Sequence, residues 1–112
     1  MSNFSNEVLE RIEKISNNQE INNSSNAFMR ASTKPKYCYN FSWLGRPIIQ
    51  YPQDIVAMQE IIWKVKPDLI IETGIAHGGS LIFSSSMLAL LDMEEAIRDN
   101  KESFTSTQRV TI

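Results

Sequence analysis

Apolar residues recur every three or four positions in three stretches of the chain, which predicts three helices. The first lies near the N-terminus, with Ser5 as its N-cap, and carries an apolar stripe that we interpret as a packing face. The second begins at Asp54, an N-cap or first-turn anion, and ends before Pro67, which has no N–H to donate. The third runs from Ser80 to Ile97. The stripe of the first helix consists of Phe4, Val8, Ile12 and Ile15.

Two shorter apolar runs lack a helical period, and we interpret them as strands. Leu69-Ile70-Ile71 is unbroken and aliphatic, which is typical of a strand covered on both faces. Arg109-Val-Thr-Ile112 predicts the first residues of a second strand. The order helix, strand, glycine-rich turn, helix, strand indicates the opening of a doubly wound α/β domain. We therefore place an incomplete cofactor-binding domain in residues 37–112, after an N-terminal helix and flexible loop in residues 1–36.

Two segments have no clear period. Asn17–Asn26 is polar and low in complexity, so we predict a flexible loop there. Aromatic side chains crowd Tyr37–Tyr51, a segment that also holds Gly45 and Pro47. Aromatic residues in such a segment either line a ligand pocket or close the edge of the core, and we favour the second interpretation.

The sequence predicts too few strands to complete a sheet. Each backbone N–H or C=O that a buried strand leaves unpaired costs about 1–3 kcal/mol, and only Leu69-Ile70-Ile71 is clearly available as a strand. We therefore interpret residues 1–112 as the N-terminal piece of a longer domain. Expressed alone, this piece is expected to be molten or prone to aggregation.

Composition narrows the class of protein. A chain of 112 residues with 42% hydrophobic and 21% charged residues is typical of one modest globular domain. The net charge of −2 argues against nucleic-acid binding, and no apolar run is long enough to span a membrane. Cys38 and His77 are the only residues of their types, so we expect no disulfide framework, no thiolate metal cluster and no site built on several imidazoles. No signal peptide is visible, and we expect a cytoplasmic protein.

The stretch Glu72-Thr-Gly-Ile-Ala-His-Gly-Gly-Ser80 joins the first predicted strand to the third predicted helix. Glycine tolerates positive φ and lets a ligand approach the backbone closely. The helix that follows offers unpaired N–H groups and a partial positive charge. Such a turn either binds a cofactor or permits close packing alone, and its place between a strand and a helix favours cofactor binding.

The spacing of residues within this turn limits which cofactor the turn could bind. Ala76 stands where the dinucleotide motif G-x-G-x-x-G has its second glycine, and no G-K-[ST] sequence follows. Glu72 at the end of the strand would repel a pyrophosphate but would attract a cation by roughly 4 kcal/mol at ~4 Å, before desolvation. S-adenosylmethionine carries a sulfonium, an ammonium and a carboxylate, so the pattern E-x-G-x-x-x-G favours it over NAD.

Several blocks between about residues 37 and 93 resemble one known family. The blocks are Trp43-Leu-Gly-Arg-Pro47, Tyr51-Pro-Gln-Asp54, Gln59-Glu60 and the stretch from Lys66 to Ser80. They resemble the cephalosporin hydroxylase / rhamnosyl O-methyltransferase family, which implies a Rossmann-like S-adenosylmethionine-dependent methyltransferase fold. The resemblance leaves open whether the full-length protein requires Mg²⁺, which acidic residues beyond Ile112 would bind. It also implies cofactor contacts from Glu72, Gly74, Ala76, Gly78, Gly79 and Ser80.

Other polar residues could have functional roles, but we favour structural or surface roles for them. His77 could act as a general base, but no orienting partner is identifiable, so we expect a turn histidine that hydrogen-bonds the backbone. Glu94 and Arg98 are four residues apart and predict a solvated ion pair of small energetic value. Glu60 is expected on the surface of its helix.

The leading hypothesis is the cofactor-binding start of an S-adenosylmethionine-dependent O-methyltransferase that acts on a sugar or small-molecule hydroxyl. The alternative is a non-catalytic fragment that persists only by assembling with other chains, and a nicotinamide-dependent oxidoreductase is a weaker third. The catalytic residues and the methyl acceptor cannot be read from this sequence, and a homo-oligomer is left open.

Overall fold

The computed structural model of the protein describes residues 2–100 and the backbone of residues 110–111. The chain divides into two units, Met1–Tyr37 and Cys38–Ile112. Its helices are α1 (Asn3–Ser16), α2 (Gln19–Thr33), α3 (Pro52–Val65), α4 (Gly79–Arg98) and a 3₁₀ helix (Tyr37–Tyr39). Its strands are β1 (Phe41–Trp43), β2 (Arg46–Ile48), β3 (Ile70–Ile71) and β4 (Val110–Thr111).

The N-terminal unit is helical where a loop was expected. The predicted loop Asn17–Asn26 is wrong, because α2 begins at Gln19 and leaves only a short break after α1. The Asn18 side chain caps α2 by accepting a hydrogen bond from the Ile21 N–H at 3.0 Å, and Gln19 donates to Asn23 at 2.8 Å. Asparagine favours caps, so a polar run with such contacts can start a helix although its composition resembles that of a loop.

The first helix also differs from its prediction. Its N-cap is Ser2, whose Oγ accepts from the Ser5 N–H at 3.3 Å, so Ser5 lies inside the helix. The stripe predicted as a packing face is largely exposed, with Phe4 at 68% and Ile12 at 56%, and no residue of α1 is buried. An amphipathic pattern predicts the helix, but it does not by itself supply a partner for the apolar face.

The C-terminal unit begins with a β-hairpin that the sequence patterns did not predict. Strands β1 and β2 pair antiparallel, with Phe41 opposite Ile48 and Trp43 opposite Arg46. The two connecting residues, Leu44 and Gly45, both have positive φ, at 47° and 81°. Positive φ at both central residues is the geometry of the two-residue turns that match the twist of a hairpin.

The core of this unit lies between the hairpin, α3 and α4. Ile48, Ile62 and Phe83 form a buried cluster in this core, and Phe41 and Trp43 pack against it. The Trp43 ring meets the Phe83 ring edge-on at 4.9 Å. Phe41 and Trp43 therefore close the edge of the core, as the favoured interpretation has it, whereas Tyr37 and Tyr39 of the same segment are exposed.

Helix α3 begins and ends much as predicted. Pro52 is its first residue and Asp54 lies in its first turn, whereas the N-cap Tyr51 makes no side-chain cap hydrogen bond. Lys66 leaves the helix with φ 48°, and its N–H donates to the Ile62 carbonyl at 2.8 Å. Proline disfavours helical geometry in the residue before it, so Pro67 explains this end.

Strand β3 has a partner, which corrects the expectation of a lone strand. It pairs in parallel with β4, with Ile70 opposite Val110 and Ile71 opposite Thr111. The predicted second strand is thus confirmed at Val110–Thr111, and its other two residues lie outside the described part of the chain. Ile71 is 68% exposed, so the prediction of cover on both faces is wrong.

The described residues form a mixed α/β arrangement with one antiparallel pair and one parallel pair of strands. This agrees with the predicted α/β class at a coarse level, while a doubly wound Rossmann-like sheet stays a prediction. No helix among the described residues is long and apolar enough to cross a membrane.

Candidate functional site

The candidate site is the connection between β3 and α4. Glu72 follows β3 directly, and a turn closes where the Gly78 N–H donates to the Ile75 carbonyl at 2.6 Å. Gly74, Ala76 and Gly78 have positive φ, at 80°, 43° and 85°. Positive φ is free for glycine but costs other residues about 1–2 kcal/mol. The backbone at Ala76 thus has glycine-like geometry although the residue carries a Cβ.

The glycines of this turn are not equivalent. A Cβ added at Gly79 would strike the Pro47 carbonyl oxygen and lie 2.7 Å from the Ile48 Cα. A Cβ added at Gly74 or Gly78 would meet nothing within 4 Å. Close packing of α4 on β2 therefore accounts for glycine at position 79, whereas the space beside the other two glycines is open.

Glu72 is held by two serine side chains of α4. The Ser80 hydroxyl donates to Glu72 Oε2 at 3.1 Å, and the Ser84 hydroxyl donates to Glu72 Oε1 at 2.7 Å. None of the ion pairs among residues 2–100 involves this carboxylate. The half-buried negative charge is therefore oriented by hydroxyl groups and has no cationic partner in the described part of the chain.

Ser84 was not predicted as a site residue. It is 6% exposed and lies one helical turn after Ser80, which was predicted as a cofactor contact. The serine repeat at positions 80 and 84 was the available signal, because residues four apart share one face of a helix. The periodicity alone did not show that this face meets Glu72.

An open cleft of about 350 Å³ adjoins Glu72. Its walls are mostly apolar, and its polar groups come from Glu72, the two serines and Gln50. Gln50 Oε1 is buried and has no hydrogen-bond partner in the described structure. The apolar side chains of the cleft include Met58, Ile61, Ile62, Val65, Leu69, Ile70, Ile71 and Phe83.

The remaining polar residues lie away from this arrangement or on its surface. His77 is exposed on the turn and makes no hydrogen bond to any other described residue, so its predicted backbone hydrogen bond is wrong. Glu94 and Arg98 form the predicted exposed ion pair at 3.7 Å, and Lys66 also reaches Glu94 at 3.7 Å. Glu60 is exposed, as predicted.

No group of three or more histidine, cysteine, aspartate or glutamate side chains that could hold a metal ion occurs in the described part of the chain. The Mg²⁺ expectation concerned residues after Ile112, and none of the described residues supports it.

The chain was compared with known protein families, curated proteins and solved structures. The family model for Rhamnosyl O-methyltransferase/CmcI matches residues 35–111, which confirms the resemblance and extends it beyond the blocks that first carried it. No curated protein and no solved structure matches the chain.

Proposed function

The chain belongs to the Rhamnosyl O-methyltransferase/CmcI family, and on that premise we propose that it binds S-adenosylmethionine at the turn between β3 and α4. The reaction is methyl transfer from the sulfonium to the oxygen of a sugar or small-molecule hydroxyl. The rate enhancement comes mainly from holding donor and acceptor in line. Cytoplasmic location and the oligomeric state stay predictions.

The observation that carries this proposal is the Glu72 carboxylate, which accepts two hydroxyl hydrogen bonds but has no cationic partner among residues 2–100. The Glu72 carboxylate is partly removed from water, and a ligand that brings a cation would offset part of the cost of that desolvation. Opposite unit charges at ~4 Å attract by roughly 4 kcal/mol at a surface-like dielectric, before desolvation. S-adenosylmethionine supplies such a cation, whereas the pyrophosphate of NAD would place negative charge beside the carboxylate.

The start of α4 supports the same ligand. Gly78 precedes the helix without a side-chain cap hydrogen bond, and no acidic residue lies in the first turn. The first N–H groups of the helix and its partial positive charge suit the carboxylate of the methionine moiety. Open space beside Gly74 and Gly78 lets a ligand approach the backbone there.

Isothermal titration of the full-length protein with S-adenosylmethionine and with NADH tests the proposal. We expect saturable binding of S-adenosylmethionine that Glu72→Gln weakens about tenfold or more, because the variant removes the negative charge and keeps the shape. Glu60→Gln is the matched control, since Glu60 is exposed on α3, and its affinity should stay within about twofold. Binding of NADH in the micromolar range by the unaltered protein would contradict the proposal.

A further inference from the structure

Several hydroxyl side chains in the helices of this protein donate to a carbonyl of their own helix. Ser86 Oγ donates to the Phe83 carbonyl at 2.8 Å, and Thr33 Oγ1 donates to the Met29 carbonyl at 2.9 Å. This back-bonding is the ordinary way for a helical serine or threonine to satisfy its donor. Ser84 departs from it, because its hydroxyl leaves the helix and donates to Glu72 at 2.7 Å.

The Ser84 contact constrains the carboxylate more than a surface contact would. Ser84 is 6% exposed, so water does not compete freely for its hydroxyl. A hydrogen bond to an ionised acceptor is roughly twice as strong as one between neutral groups. Because Ser80 holds the other oxygen, the two bonds fix the plane of the Glu72 carboxylate. Each oxygen still has a lone pair for a ligand donor.

We infer that Ser84 is a positioning residue, whose hydroxyl holds the Glu72 carboxylate in the orientation that receives the cationic group of the cofactor. The inference rests on the proposed function, since it assigns Ser84 a role in the binding of that same ligand. In this role, unlike a purely structural one, the Ser84 hydroxyl increases affinity only when residue 72 carries a negative charge.

Titration of the full-length protein with S-adenosylmethionine tests the first part of this inference. We expect Ser84→Ala to weaken binding about five- to tenfold, because the freed carboxylate samples other rotamers. Ser84→Thr keeps a hydroxyl and should restore most of the affinity. Ser85→Ala removes the hydroxyl of the next residue, and that hydroxyl makes no hydrogen bond within the described structure, so affinity should change by less than about twofold.

A double-mutant cycle separates positioning from structure. In a Glu72→Gln background, Ser84→Ala should weaken binding by no more than about twofold, because the charge that it positions is already gone. Ser80→Ala, which removes the other hydroxyl, provides a second cycle if Ser84→Ala lowers the folded fraction seen by circular dichroism.

The outcomes distinguish the inference from the proposed function. If the unaltered protein does not bind S-adenosylmethionine, the proposed function fails and the inference fails with it. If it binds and Ser84→Ala binds equally well, or the loss is the same in both backgrounds, the inference alone is overturned.

Discussion

The two long helices of the C-terminal unit, α3 and α4, begin in opposite ways. Helix α3 starts with Pro52, which has no N–H to leave unpaired, and carries Asp54 in its first turn. Helix α4 follows Gly78 in the left-handed conformation, with neither a side-chain cap nor an acidic residue in its first turn. The chain thus offsets the positive end of α3 with its own residues, whereas no side chain of the described residues caps the N–H groups at the start of α4.

The carboxylates beside the two helix starts, Asp54 and Glu72, also differ in what they contact. Glu72 accepts from the hydroxyls of Ser80 and Ser84, not from the first N–H groups of the helix. Asp54 acts as part of its own helix, while Glu72 reaches α4 from the preceding turn and remains without a cation among residues 2–100. We therefore propose that the start of α3 serves folding, whereas the start of α4 serves ligand binding.

The largest expected effect is on binding, from Gly78→Val. The variant places a β-branched side chain at φ 85°, in the open space that we assign to the approaching cofactor. We expect affinity for S-adenosylmethionine to fall by about 100-fold or more in the full-length protein, measured by titration calorimetry.

Gly45→Val is the matched control for Gly78→Val. Gly45 has φ 81° and open space around its missing Cβ, but it lies in the hairpin turn. Both variants should lose similar stability, and only Gly78→Val should lose affinity. Equal affinity in the two variants would show that the glycine at position 78 serves the backbone alone.

The next effect is on stability, from Gly79→Ala. The new Cβ strikes backbone atoms of Pro47 and Ile48, which cannot move as a flexible side chain can. We expect a loss of about 2–3 kcal/mol in the free energy of unfolding, measured by denaturant titration. Gly74→Ala meets no neighbour and should lose only the strain of its positive φ, about 1 kcal/mol. If Gly79→Ala lowered the free energy of unfolding by no more than Gly74→Ala does, α4 and β2 would not pack this closely.

The smallest effect tests the other helix start. Asp54→Asn removes the first-turn anion of α3 and should lower the free energy of unfolding by about 0.3–1 kcal/mol at low salt. Affinity for S-adenosylmethionine should not change, because Asp54 does not line the cleft beside Glu72. A clear loss of affinity would remove the distinction between the two helix starts.

Periodicity and turn chemistry predicted the parts of the fold that local physics determines. Helices α3 and α4 have apolar positions at helical spacing, and Pro67 marks the end of the first of them. The strand–turn–helix order predicts Glu72 at the end of β3, beside the start of α4. The hairpin was missed because its strands are three residues long and its Leu44-Gly45 turn lacks the asparagine or aspartate typical of such turns.

The other differences between the predicted and the observed structure depend on contacts between distant positions or on specific helix caps. Helix α2 was missed because low complexity was interpreted as disorder, although Asn18 caps the helix. The packing role of Gly79 depends on the approach of β2, and the role of Ser84 depends on a hydrogen bond that spans twelve residues. The i, i+4 spacing of Ser80 and Ser84 does not by itself identify Glu72 as their partner, and no local pattern shows that β2 approaches Gly79.

The most direct test of the central claim is an amide NMR titration of the full-length protein with S-adenosylmethionine. If the start of α4 binds the cofactor, the largest shift changes should fall on Gly74, Gly78 and Ser80, and the amides of Gln53 and Asp54 at the start of α3 should stay nearly fixed. Equal shifts at the two helix starts, or saturable binding that leaves the turn amides unchanged, would contradict the account.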